Sequence, residues 1–167
     1  MTQRTVDLTS NGTGVLDATP TAPLPTAAAK ALAKLERAFL PLDLVRAVTR
    51  YEIATERRAG LEAKPTREWS GADFSSFADC ERVLIESAMM LAVKGRMDLI
   101  DGIITPVIRA VVDYRRAALR AANLGNEALF SGMPTMHADD LAHAEDLKLG
   151  ARATLAEAGR LDLVGRA

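Results

Sequence analysis

The stretch SFADCERVLIESAMMLAVKGRMDLIDGIITPVIRAVVDYRRAALRAA, residues 76–122, decides the fold. Within it Val83, Leu84, Ala88, Leu91 and Ala92 recur three and four residues apart, the spacing that lines one face of a helix. Gly95 interrupts the run, and the pattern restarts with Met97, Ile100, Ile103, Ile104, Val107, Ile108, Val111 and Val112. That stripe is too wide for a helix resting on a surface, so it predicts a central helix covered on most sides. Glycine enters the left-handed conformation that ends helices without steric cost, so Lys94-Gly95-Arg96 is expected to fold the two segments into a tight helical hairpin. Pro106 lies inside the second stripe, four residues after Gly102, and the expectation is a continuous helix kinked there.

Working back from this centre, Leu44, Val45, Val48 and Tyr51 form a stripe on a helix that opens near Pro41 and ends at Gly60 or Lys64-Pro65. A further helix is expected from Thr26, with Ala28, Ala31, Leu32, Leu35 and Phe39 on one face. Residues 1–25, rich in threonine, proline and glycine and without apolar periodicity, read as a disordered tail. Glu62–Gly71 reads as a loop, and Ser76 with Asp79, or earlier Ser70 with Asp73, supplies the capping pair that starts the helix through Cys80. Forward of the centre, Asn123-Leu124-Gly125 is expected to end the second helix and Ser131–Pro134 to break the chain again. A last helix then runs from Met136 or Ala138 toward Ala158. The fold class is therefore all-α: a compact helical bundle or short helical-hairpin array of about five helices, one domain over 26–167 behind the tail.

A formal net charge of −1, with 26% charged residues, gives no bulk attraction to nucleic acid or anionic membrane, so either partner needs a local patch. Lys94, Arg96, Asp98, Asp101 and Arg109 interrupt the apolar centre and exclude a membrane span. The lone Cys80 cannot form an internal disulfide, and no secretory pattern is present, so the cytoplasm is the expected location.

Three sets of residues are candidates for binding. Arg46, Arg50 and Arg57 fall on one helix and Arg109, Arg116 and Arg120 on another, faces suited to phosphates unless neighbouring carboxylates pair with them. Trp69, Phe74 and Phe77 gather the aromatic surface, as a lid over one end of the bundle or as a partner pocket. Asp139, His143 and Asp146 share one helix face and form a weak metal candidate, short of a second ligand cluster. No phosphate loop, nucleophile elbow or acid and base pair is present, so no catalytic residue and no cofactor is assigned.

The segments LAVKGRMDLI (91–100), AANLGNEALF (121–130) and LAEAGRLDLV (155–164) look alike, with glycines at 95, 125 and 159. Their spacing falls within the periods of helix-pair repeats, and the junctions alone resemble the turns of tetratricopeptide-type proteins. Together these features describe a non-enzymatic protein-protein interaction or oligomerisation module, an adaptor or regulatory subunit. The alternative is a nucleic-acid-binding helical protein, such as a small DNA-recognition or packaging subunit, that uses the arginine faces.

Overall fold

The computed structural model describes residue 35, residues 38–132, residue 135 and residues 137–165. The expected tail and most of the Thr26 helix lie outside them. The chain divides between Phe39 and Leu40, and the second unit begins at Leu40. Four helices form that unit: α1 (Leu42–Glu62), α2 (Gly71–Val93), α3 (Pro106–Ser131) and α4 (Ala138–Glu157). Single 3-10 turns occupy Thr66–Glu68, Met97–Ile100 and Leu161–Val164. No strand occurs among the described residues, so the all-helical expectation holds, with four helices rather than about five.

The helices pair differently from the expectation. α1 packs along α2 and α3 along α4, whereas α2 and α3 touch over a shorter length. Gly95 does cap α2 at φ 67°, with the Arg96 amide donating to the Leu91 carbonyl at 2.8 Å and the Gly95 amide to Ala92 at 3.1 Å. This is a Schellman ending. Instead of folding back as a helix, the chain enters the Met97–Ile100 turn and a short link to Thr105. Pro106 neither kinks nor breaks a helix; it occupies the first turn of α3, where its missing N–H has no helical partner to lose. Thr105, held extended as residues before proline are, caps α3 by accepting from the Ile108 amide at 3.3 Å. The wide stripe from Met97 to Val112 is thus two elements, a turn and a helix start.

Two further expectations are corrected. The cap of α2 is the earlier pair: Ser70 Oγ accepts from the Asp73 amide at 3.2 Å, and Asp73 accepts from the Ser70 amide at 2.8 Å. The Ser70 hydroxyl also donates to the Asp73 carboxylate at 2.7 Å, and this bond, with the one from the Ser70 amide, holds the Asp73 carboxyl below the usual carboxylate range. Ser76 lies inside α2 and accepts from Arg57. Gly125 ends nothing, because α3 runs through it to Ser131 and stops at Gly132, φ 66°.

With the helices placed, an internal duplication becomes visible. Arg46-Ala47-Val48, Tyr51, Ala54, Arg57 and Ala59 of α1 recur as Arg109-Ala110-Val111, Tyr114, Ala117, Arg120 and Ala122 of α3, 63 residues on (46 to 109). Leu91-Ala92, Gly95-Arg96 and Asp98-Leu99 recur as Leu155-Ala156, Gly159-Arg160 and Asp162-Leu163, 64 residues on (91 to 155). Ala47, Val48 and Ala54 are buried, and so are Ala110, Val111 and Ala117. Cys80, Ser87 and Leu91 of α2 are buried at the positions of Ala144, Ala151 and Leu155 of α4. Both helix ends share one backbone: Gly95 and Gly159 have φ 67° and 66°, and the next residues have φ/ψ −120°/37° and −118°/33°. The unit is therefore two copies of a helical hairpin, each closed by a Gly-Arg-x-Asp turn, over one continuous core that runs from Leu44 through Ile108 to Leu155.

Candidate interaction surface

The two hairpins are joined through a buried charge on α2. Glu81, only 7% exposed, accepts two hydrogen bonds from the guanidinium of Arg160, at 2.5 and 2.7 Å. A planar guanidinium facing a carboxylate through two parallel bonds fixes orientation as well as distance. Arg160 is itself braced by Asp162, at 3.1 Å from Nε. Glu81 and Asp162 together favour the charged guanidinium and hold its pKa above the usual arginine value. Arg58 of α1 approaches the same carboxylate at 3.7 Å and lies over the Phe77 ring, 5.0 Å from its centroid. Four residues beyond Glu81, Ile85 shares a cleft with Leu163 and Arg115 of the second hairpin and is 5% exposed. Glu81 and Ile85 thus form the face of the first hairpin on which the second one sits.

The same face exists on the second hairpin with nothing seated on it among the described residues. Glu145 stands at the position of Glu81 and Leu149 at that of Ile85. Leu149 is 64% exposed where Ile85 is 5%, and the Glu145 carboxylate turns sideways to Lys148 of its own helix at 2.9 Å. Leu141 and Leu147 are also exposed on α4. A shallow apolar groove joins Leu141 to Leu129 and Ala122 at the far end of α3.

The arginine sets occupy repeat-equivalent grooves. Arg109, Arg116 and Arg120 line a groove of about 620 Å³ between α3 and α4. Arg46, Arg50 and Arg57 line its counterparts between α1 and α2. The sets do not meet in one groove, and carboxylates accompany them. Arg109 is paired with Asp101, Arg120 with Asp140 at 2.7 Å and Arg50 with Glu86 at 3.5 Å. Asp113 and Asp146 line the larger groove as well. Such balanced walls give a phosphate backbone little net attraction.

The aromatic residues are brought together: Trp69 lies 5.1 Å from Phe74 and 5.2 Å from Phe77, ring centre to ring centre. Trp69 also donates to the Lys64 carbonyl at 3.1 Å, and Lys64 pairs with Asp73 at 3.3 Å. This cluster ties down the loop between α1 and α2, with Phe74 left half exposed. Asp139 and His143 are exposed on α4, and Asp146 faces the larger groove. No group of three or more histidine, cysteine, aspartate or glutamate side chains among the described residues is arranged to hold a metal ion. Sequence reasoning missed Glu81, Ile85, Glu145, Leu149 and Arg160. The signal that finds them is the offset of 63 to 64 residues, once helix is compared with helix.

No protein-family model, no curated protein and no solved structure matches this chain. Among the described residues no helix is long and apolar enough to cross a membrane.

Proposed function

We propose that this protein is a non-enzymatic interaction module, a two-hairpin helical array that binds another protein through the outer face of α4. The observation that carries the reading is the contrast between Ile85 and Leu149, one repeat position buried in the first hairpin and exposed in the second. A partner that lays an apolar residue on Leu149 and a cation on Glu145 reproduces the chemistry with which the second hairpin already covers the first. The lone, buried Cys80 suits a reducing compartment, and the cytoplasm is the proposed location. The test is a photoreactive residue at position 149, compared with one at Arg67, a fully solvated site in the loop between α1 and α2. Protein adducts from 149 and none from 67 support the reading; equal labelling at both, or none at 149, contradicts it.

A second reading, nucleic-acid binding, is favoured by one observation, the recurrence of Arg46 and Arg57 as Arg109 and Arg120. The carboxylates beside them weigh against it. Duplex binding at low salt that Arg116→Ala and Arg120→Ala both weaken would establish it in place of the first.

A further inference from the structure

We propose that the cleft between α1 and α2 binds a small phosphomonoester, held by the guanidinium groups of Arg46 and Arg50 and the hydroxyl of Ser87. The site is separate from the outer face of α4 and does not depend on how that face is used. The cleft has a volume of about 360 Å³, and Arg46, Arg50 and Ser87 line it together with Asp43, Glu86 and Met90. Ser87 is only 3% exposed, and its hydroxyl has no hydrogen-bond partner among the described residues. A buried hydroxyl without a partner costs stability, so one kept in the wall of a cleft points to an acceptor that arrives from outside. Arg46 and Arg50 stand one turn apart on α1, which brings both guanidinium groups to the same cleft.

The carboxylates of the cleft already have cations. Asp43 pairs with Lys94 at 3.1 Å, and Glu86 pairs with Arg82 at 3.3 Å and more loosely with Arg50 at 3.5 Å. Arg82 also holds Asp79 at 3.1 Å, whereas Arg46 has no ion-pair partner among the described residues, so the cluster keeps one positive charge in excess. The second hairpin lacks this arrangement. At the positions of Arg46, Arg50 and Ser87 it has Arg109, which pairs with Asp101, then Asp113 and Ala151. A phosphomonoester presents three acceptor oxygens, one for each donor of the first hairpin, and its charge draws Arg50 from the long contact with Glu86. Met90, three residues after Ser87 and 44% exposed, is the flexible side chain that turns aside to open the hydroxyl. A phosphodiester offers one free oxygen fewer, so a nucleic-acid backbone fits the three donors less well.

Titration of the full chain with inorganic phosphate and with glycerol phosphate tests this, followed residue by residue by NMR at constant ionic strength. Saturable shifts at Arg46, Arg50 and Ser87 are expected, with no comparable shifts at Arg109, Asp113 and Ala151 of the second hairpin. Arg46→Gln is expected to weaken binding about tenfold, with circular dichroism melts verifying that the variant is folded. Ser87→Ala is expected to weaken binding about threefold or more while raising the melting temperature of the unliganded protein, a pairing that a purely structural serine would not produce. Dimethyl phosphate is expected to bind more weakly than glycerol phosphate. Shifts that do not saturate or that spread equally over both hairpins, an affinity unchanged in Arg46→Gln or in Ser87→Ala, or dimethyl phosphate that binds as tightly as glycerol phosphate overturns the proposal.

Discussion

Arg160, at the end of the second hairpin, closes both arms of its guanidinium on the carboxylate of Glu81 in the first. The pair joins residues far apart in sequence, and through it α2 acquires its only buried charge among the described residues. Removing one partner of such a pair strands the other in a poorly solvated site. Glu81→Gln and Arg160→Ala are each expected to destabilise the fold by about 3 kcal/mol. The double variant should cost much less than the sum, as urea denaturation of the four proteins will measure.

The glycine junctions make opposite predictions. Gly159 sits at φ 66° with open space where a side chain would stand, so Gly159→Ala costs only backbone strain, about 1 kcal/mol. Gly125 lies inside α3, also with open space, and Gly125→Ala is expected to stabilise by about 0.5–1 kcal/mol. Thermal melts of the two variants distinguish a helix end from a helix interior by the sign of the change.

Ser87 is buried on α2 with no hydrogen-bond partner for its hydroxyl among the described residues, and the second hairpin has Ala151 at that position. Ser87→Ala removes an unsatisfied group without opening much space, so a gain of about 1 kcal/mol is expected in denaturant unfolding.

Tyr51 is 1% exposed, and burial pushes its phenol above the ordinary value of 10.0, against a smaller opposing effect from the Thr105 backbone. The native state keeps this proton at pH values where the unfolded chain has lost it. The stability it contributes is therefore complete below pH 10.0 and is lost as the pH rises from there through the higher native value. Urea midpoints are expected to fall above that pH, and Tyr51→Phe is expected to flatten the decline.

Helix content was legible from the sequence because periodicity survives translation into structure: α1, α4 and the loop around Pro65 stand where the spacing put them, although Leu141 and Leu147 of α4 are exposed. The route between α2 and α3 was not. A stripe from Met97 to Val112 is equally compatible with one helix or with a turn, a link and a helix, and Pro106 suits either a kink or a first turn. Gly125 imitated Gly95 and Gly159 in its neighbours but lacks the Arg-x-Asp that braces the turn after each of those two glycines. That false match shortened the apparent repeat and hid the true one. The face of Glu145 and Leu149 carried no sequence signal of its own, since a glutamate and a leucine four apart occur on any solvated helix. Their meaning comes from Glu81 and Ile85, whose burial depends on residues from the other hairpin.

The central claim is that the outer face of α4 is covered when the protein is at work. A cysteine introduced as Leu149→Cys reports this directly, with the native Cys80 buried and Arg67→Cys as the open control. Its rate of reaction with a thiol reagent is measured in the source cells and in dilute purified protein. Slowed labelling at 149 in cells, with no slowing at 67, is the expected result; equal rates at 149 in both settings would contradict the account.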